Sequence, residues 1–253
     1  MIRLSVRSIL LCCFAACASG APPASPPASA PSPVPLRILV WSEGTAPKNI
    51  YPADINTAVA EGLRAADPAL AVLTASLADP EQGLSEATLA EADVLVWWGH
   101  LRHADVSDAA ADRVVRHVRE RGLGFIVLHS AIHARPFRAL MGTPCDIRGW
   151  REDSQPVQVH VVAPGHPIAS GLGPVFTIPA DEMYAEPFIV PPPDELVFIS
   201  TYSKGEAFRS GCCWRRGNGR VFFLQAGHES DPVYFDPNVR RVIGNAVRWA
   251  AGK

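Results

Sequence analysis

Hydrophobic residues in the first half of the chain follow two alternating patterns. Four short runs are mainly apolar, and the last two are continuously so, as in strands buried on both faces: residues 36–41, 71–75, 94–98 and 124–128. Three stretches between them repeat apolar residues at helical spacing: residues 54–66, 85–92 and 107–122. Asp54 and Ser107 are typical helix N-caps, and Gly122 is a typical helix stop. This alternation predicts a parallel sheet with helices on both faces.

The second half predicts more strands and one final helix. The expected strands are residues 157–162, 195–199, 207–214 and 220–224. The sequence RRGNG at residues 215–219 forms a turn between the last two, so some antiparallel pairing is expected. Asp236 and Pro237 begin a helix whose apolar positions continue at helical spacing to Ala250. The predicted fold class is therefore α/β, with antiparallel strands added in the second half.

Histidines follow three of the predicted strands. His100 comes directly after Gly99 at the end of the strand 94–98, and His129 follows the strand 124–128. His228 lies four residues beyond the strand 220–224. Because the carboxyl ends of parallel strands meet at one edge of a sheet, these side chains are expected to converge there. By contrast, His117 is expected on a helix surface.

Two kinds of chemistry fit such a cluster. His100, His129 and His228 could bind a divalent metal ion such as Zn²⁺. Alternatively, His129, His228 and Glu182 could divide the general acid and base roles without a metal. Neighbouring polar and aromatic residues are candidates for contact with a substrate: Trp98, His103, Ser130, Arg151, Glu152, Tyr184 and Glu229.

The first 35 residues are expected to lie outside the folded domain. Arg3 and Arg7 precede an apolar run over residues 9–18, which is the order found in a secretory signal, here residues 1–20. Either Cys17 becomes a lipid-modified first residue, or an ordinary peptidase cleaves near Ala21. Residues 21–35 consist almost entirely of Ala, Pro and Ser and predict an extended spacer. The domain at 36–253 is thus expected to be periplasmic or held at a membrane by a lipid anchor alone.

Charge and cysteine content narrow the possible partners and chemistry. The formal net charge is −2 and no basic run occurs, which argues against a nucleic-acid partner. Only Cys145, Cys212 and Cys213 belong to the predicted domain, so a disulfide framework is not expected. Within a strand, Cys212 and Cys213 should point to opposite faces, one inward and one outward. No pattern in the sequence indicates an oligomeric state.

Several motifs in one collinear order resemble the ThuA-like (trehalose-utilisation) family. They span residues 36–253: VLVWWGHLRHADVSD, GFIVLHSA, LMGTPCDIRGWRE, HPIASGL, DEMYAEPF, ELVFIS, FRSGCCWRRGNGRVFFLQAGHE and VRRVIGNAVRWA. The resemblance implies a flavodoxin-like sheet between helices, similar to class I glutamine amidotransferases. It also implies a role in disaccharide catabolism beside a sugar oxidoreductase that makes 3-keto sugars. The family pattern places a histidine one residue earlier than His133, so the role of His133 differs or is lost.

Three hypotheses about function follow. The leading one is an exported enzyme of carbohydrate metabolism that acts on a glycoside or 3-keto-glycoside through histidine-centred acid/base or metal-assisted chemistry. A second is a sugar-binding or scaffold lipoprotein without turnover. A third is an amidotransferase-like hydrolase, but the turn after the strand 124–128 carries His129 and Ser130 in place of a cysteine. The G-x-S-x-G sequence that would expose a nucleophilic serine is also missing there.

Overall fold

The computed structural model of this protein describes residues 35–252. The predicted signal sequence, Cys17 and all but the last residue of the spacer lie outside the described residues. In the described range, no helix has both the length and the apolar character that a membrane crossing needs.

The described residues form nine strands and five α-helices. The strands are β1 (Arg37–Ser42), β2 (Ala71–Ser76), β3 (Val94–Trp98), β4 (Gly124–Leu128), β5 (Ile147–Val161), β6 (Val175–Phe188), β7 (Glu195–Thr201), β8 (Ala207–Arg216) and β9 (Gly219–Leu224). The helices are α1 (Ile55–Ala66), α2 (Glu86–Glu91), α3 (Asp108–Arg116), α4 (Arg135–Met141) and α5 (Pro237–Ala250).

All nine of these strands belong to one mixed sheet in the order β2-β1-β3-β4-β9-β8-β7-β5-β6. Pairing is parallel from β2 through β9 and antiparallel from β9 to β6. The parallel half confirms the predicted β-α alternation. It also brings the carboxyl ends of β3, β4 and β9 next to each other, because these strands are consecutive neighbours.

The central strands are buried along their full length. Every residue of β3 and β4 is buried, as the continuous apolar runs predict for strands covered on both faces. The predicted helix caps are also present: the side chains of Asp54, Ser107 and Asp236 each accept a hydrogen bond from a backbone N–H at the start of α1, α3 and α5. The sheet is therefore a rigid platform for whatever its carboxyl edge carries.

The structure corrects two predictions about individual side chains. His117 is 1% exposed and not on the surface, because it lies three residues after the buried Val114 and so shares the inward face of its helix. Its Nε2 lies 2.9 Å from Oε1 of Glu86. Cys212 and Cys213 are both buried, at 0% and 1%, because both faces of the sheet are covered at β8.

Two elements were not expected from the sequence. Helix α4 has apolar residues at helical spacing, Phe137, Leu140 and Met141, but this pattern is too short to predict a helix from the sequence. Strand β6 contains acidic residues and two prolines, and it pairs with an early part of β5 that was also not expected. Together β5 and β6 form a long antiparallel ribbon, and this ribbon reaches the carboxyl edge of the parallel strands.

Candidate functional site

The end of β3 presents His100 with its ring orientation fixed. The Ser130 hydroxyl donates a hydrogen bond to the Gly99 carbonyl oxygen at 3.0 Å and lies 2.7 Å from His100 Nδ1. Because a hydroxyl has a single hydrogen, Ser130 must accept the second hydrogen bond, and His100 Nδ1 must donate it. The lone pair of neutral His100 is therefore on Nε2, which points away from Ser130.

The end of β4 places His129 in a strained backbone conformation. Its φ of 56° lies in the left-handed region, where a non-glycine residue is uncommon and such strain is concentrated at functional sites. His129 Nδ1 donates to the Gln225 carbonyl oxygen at 3.0 Å, since a carbonyl can only accept. Its Nε2 is left facing Glu182 Oε2 at 3.1 Å and the Tyr184 hydroxyl at 3.5 Å.

The loop after β9 is shaped to present His228. Gly227 has a φ of 132°, and a Cβ there would lie 1.9 Å from the Tyr234 hydroxyl oxygen, so only glycine fits. The Asp181 carboxylate accepts hydrogen bonds from the backbone N–H groups of Gly227 and His228. Ser230 occupies the other ring nitrogen of His228, because its Oγ lies 2.6 Å from Nδ1. The Ser230 backbone N–H also donates a hydrogen bond to Nδ1 at 3.2 Å, so Nδ1 accepts and the proton of neutral His228 lies on Nε2, unlike in His100 and His129.

The three rings converge at the carboxyl edge of the sheet. Ring centroids are 5.6 Å apart for His100 and His129, 5.0 Å for His100 and His228, and 5.3 Å for His129 and His228. One ligand atom from each of these histidines and one from Glu229 lie within 4.8 Å of one another. A second group of the same kind consists of Glu152, Glu182 and His228. The sequence prediction of a histidine cluster thus agrees with the geometry of the described residues.

Carboxylates line this cluster with different degrees of burial. The side chains of Glu182 and Glu229 are 3% and 9% exposed, whereas Glu152 is 49% exposed. Glu229 Oε1 lies 3.6 Å from His100 Nε2, and Glu152 Oε1 lies 3.5 Å from His228 Nε2. Burial raises the pKa of Glu182 to about 7 and lowers the pKa of His129 to about 3.

Several buried polar atoms in the cluster lack a hydrogen-bond partner: Glu182 Oε2, His228 Nε2 and Glu229 Oε2. Such atoms are costly unless something else satisfies them. Glu182 Oε2 and the lone pair of His129 Nε2 face each other at 3.1 Å without hydrogen-bond geometry. Two electron pairs at that distance need a positive charge between them, either a proton or a metal ion.

A loop beside the cluster holds His103 near it. Glu43, at the end of β1, accepts hydrogen bonds from the backbone N–H groups of Leu101 and Arg102 and so fixes this loop. A Cβ at Gly99 would lie 3.1 Å from the Glu43 carboxylate and 3.4 Å from the His103 ring, so a larger residue there would crowd both side chains. The His103 ring lies 5.9 Å from His133, and burial lowers the pKa of His103 to about 4.

Two predicted substrate contacts are placed elsewhere. Trp98 is 1% exposed and donates its indole N–H to the Gly227 carbonyl oxygen, so its ring supports the loop of His228 from within the core. Arg151 forms ion pairs with Asp153 and Glu206. Neither Asp153 nor Glu206 belongs to the histidine cluster, so the Arg151 guanidinium is engaged outside it.

The site also contains supporting residues that were not predicted from the sequence. Glu43 and Gln225 lie just after β1 and β9, so the rule used for the histidines would have found them. The Asp181 carboxylate binds backbone N–H groups of the loop that carries His228. Asp181 lies on β6, a strand that the sequence did not predict. Burial raises the pKa of Asp181 to about 7.

The described cysteines lie outside this cluster, in apolar or poorly accessible surroundings. Cys145, Cys212 and Cys213 are all buried, and burial raises the pKa of each thiol, for Cys212 to about 12. A nucleophilic cysteine needs the opposite shift, toward the thiolate. The geometry therefore does not favour an amidotransferase-like thiol mechanism at these three residues.

We predict that these three thiols stay unmodified when the native protein is treated with iodoacetamide at pH 8. Their raised pKa values leave little thiolate, and burial blocks the reagent. Mass spectrometry of digested peptides should find alkylation only after unfolding in urea, and serine at each position should leave turnover unchanged. Rapid alkylation of a native thiol with parallel loss of activity would contradict the assignment.

Comparisons with known proteins agree with the fold and the sequence motifs. A crystal structure described as ThuA-like, from Bacteroides uniformis, is similar with a TM-score of 0.64 and 21% identity, covering 89% of this chain and 95% of that one. A second ThuA-like structure, from Parabacteroides merdae, has a TM-score of 0.64 and 15% identity, covering 87% and 91%. A glutamine amidotransferase from Thermotoga maritima shares the fold at a TM-score of 0.51 and 10% identity, covering 86% and 99%.

The search of curated proteins found no match. The family model described as ThuA, trehalose utilisation, matches residues 37–250. This match spans nearly all of the described fold, from β1 to the end of α5. The chain belongs to the ThuA (trehalose utilisation) family.

Proposed function

We propose that this protein is an exported, metal-dependent enzyme that acts on a glycoside or a 3-keto-glycoside. The family match supports a role in the use of trehalose or a related disaccharide. The single observation that carries the proposal is that ligand atoms of three histidines and Glu229 converge within 4.8 Å of one another, while contacts at Nδ1 leave a free Nε2 lone pair on His100 and His129.

This arrangement is the one that metal-binding histidines adopt. A ligating imidazole generally donates its second ring N–H to a carbonyl, carboxylate or other acceptor, which fixes its orientation. His100 does so through Ser130, and His129 does so through the Gln225 carbonyl. The unsatisfied Glu229 Oε2 supports the same conclusion, because a cation would satisfy it. His228 Nε2 would bind that cation once the ring proton moves to Nδ1, where the Ser230 hydroxyl oxygen can accept it. We assign His100, His129, His228 and Glu229 as the ligands.

A divalent cation held by this set would polarise a sugar carbonyl or hydroxyl as a Lewis acid. Glu182 is suited to accept a proton near neutral pH, because burial raises its pKa to about 7. In a 3-keto-glycoside, the C2–H bond lies beside the ketone and is acidic. Transfer of that proton to Glu182 lets the electron pair form a C1–C2 double bond as the C1–oxygen bond breaks.

The departing oxygen needs a proton, and the sugar must then be hydrated. Glu152, which is half exposed and lies 3.5 Å from His228 Nε2, is placed to donate that proton and to recover one from solvent. Water then bonds to C1 through its oxygen and gives one proton to Glu152, while Glu182 returns its proton to C2, which completes a hydrolysis. A sugar oxidoreductase that forms the 3-keto group would supply the substrate.

We expect protein purified without chelator to contain about one divalent metal ion per chain, bound mainly by imidazoles. His129→Ala and His228→Ala should each lower the metal content by at least about tenfold, as measured by elemental analysis. His160→Ala is the matched control, because His160 hydrogen-bonds to Thr201 outside the cluster. A metal content near zero, together with full activity in chelator, would leave only the metal-free acid/base version.

Turnover separates an enzyme from a sugar-binding protein. Incubation with 3-keto-trehalose and related keto-glycosides should release a free sugar. Chromatography of the reaction mixture measures this release. Glu182→Gln should reduce the rate by at least about a hundredfold, the low end for loss of a positioned acid/base group. Tight binding of these sugars with no product from any of them would favour the binding lipoprotein.

Export and lipid attachment are proposed from the first 20 residues alone. Arg3, Arg7, the apolar run and Cys17 predict that labelled fatty acid attaches to the protein in cells, and Cys17→Ser should abolish the label. Release of an unlabelled soluble protein cleaved near Ala21 would contradict the lipid anchor but would still agree with export.

A further inference from the structure

One large aromatic side chain near the cluster is exposed without an evident structural reason. The chain contains six tryptophans, and five of them are at most 8% exposed: Trp41, Trp97, Trp98, Trp214 and Trp249. Trp150 is 62% exposed. A single exposed apolar residue needs no explanation by itself, so its position relative to the site decides whether it matters.

Trp150 lies on the part of β5 that borders the cluster. It pairs directly with Tyr184 on β6, and directly paired residues project from the same face of an antiparallel ribbon. The Tyr184 ring stacks on His129 with centroids 5.3 Å apart. The face of the ribbon that carries Trp150 is therefore the face that meets the histidines.

Glu152 connects the same part of β5 to the cluster. It follows Trp150 by two residues, at the start of the stretch in which β5 is bulged relative to β6. Its carboxylate lies 3.5 Å from His228 Nε2. Trp150 is thus beside the reacting groups but farther out, toward solvent.

A second exposed apolar residue borders the cluster from β3. Leu101 directly follows His100 and is 66% exposed. Its backbone is held in place, because its N–H donates a hydrogen bond to the buried carboxylate of Glu43. Strand β5 and the loop after β3 therefore share one arrangement. Each contributes a polar side chain to the cluster, Glu152 or His100, and each leaves a nearby apolar side chain, Trp150 or Leu101, exposed to solvent.

We propose that Trp150, with Leu101, forms an outer sugar-binding platform, so that the site takes a disaccharide with its reacting ring at the histidines and its second ring on the indole. One face of a pyranose ring presents C–H groups that pack on the face of an aromatic ring, while its hydroxyls stay in water. A flat, exposed indole suits that two-sided chemistry. This inference rests on the proposed function, which it deepens by assigning the residue that binds the second sugar ring.

Fluorescence quenching tests the platform without requiring turnover. Because Trp150 is the one exposed tryptophan of the six, iodide should quench mainly its emission at constant ionic strength. Trehalose or maltose should reduce the quenching constant at least twofold, and Trp150→Phe should remove the sugar-sensitive component. Absence of protection by these disaccharides would overturn the platform.

Kinetics then distinguish a platform from a structural role. Trp150→Ala should raise KM for 3-keto-trehalose at least tenfold, with kcat changed less than threefold, and Trp150→Phe should restore most of the loss. For methyl 3-keto-glucoside, which has no second ring, KM should stay within twofold. Leu73→Ala is the matched control, because Leu73 is 63% exposed on β2, the edge strand on the side of the sheet opposite β5 and β6.

Failure of the platform and failure of the enzyme proposal give different results. Protection of Trp150 without turnover of any sugar would support the platform and contradict the enzyme. Turnover without protection of Trp150 from iodide would overturn the platform but agree with the enzyme proposal. Equal effects of Trp150→Ala on the one-ring and two-ring substrates would have the same meaning.

Discussion

The candidate site depends on polar contacts that fix three imidazole rings through Nδ1. Ser130, the Gln225 carbonyl and Ser230 occupy Nδ1 of His100, His129 and His228, respectively. All three contacts are anchored at the ends of neighbouring buried strands, so the sheet itself sets the distances between the rings. With Nδ1 occupied, each ring presents Nε2 to the cluster, and His100 and His129 already hold a lone pair there for a cation.

The antiparallel ribbon supplies the groups that the parallel strands do not. Between Arg151 and Gln155, strand β5 carries extra residues relative to β6, and bulges of this kind often redirect side chains next to active sites. Ser154, at a φ of 48° within this irregular stretch, donates a hydrogen bond to Asp231 in the loop that follows β9. The irregularity thus ties the ribbon to the loop of His228 and brings carboxylates from β5 and β6 to the histidines.

Sequence reasoning was most successful where one local rule was sufficient. Continuous apolar runs located β3 and β4, and the rule that polar residues after parallel strands converge found His100, His129 and His228. It failed where a side chain's role depended on a distant partner: Trp98 supports a loop through the Gly227 carbonyl, and Arg151 pairs with Glu206. No local pattern records such contacts, because they arise only when separate segments of the chain are folded together.

The central claim is that these residues bind one cation, and anomalous X-ray diffraction tests it most directly. Crystals of protein purified without chelator should be measured on both sides of the absorption edge of the metal found. The account predicts one anomalous peak, about 2.0–2.3 Å from Nε2 of His100, His129 and His228 and from a Glu229 oxygen. Absence of a peak in well-ordered crystals of active protein, with Glu182 hydrogen-bonded to His129, would contradict it.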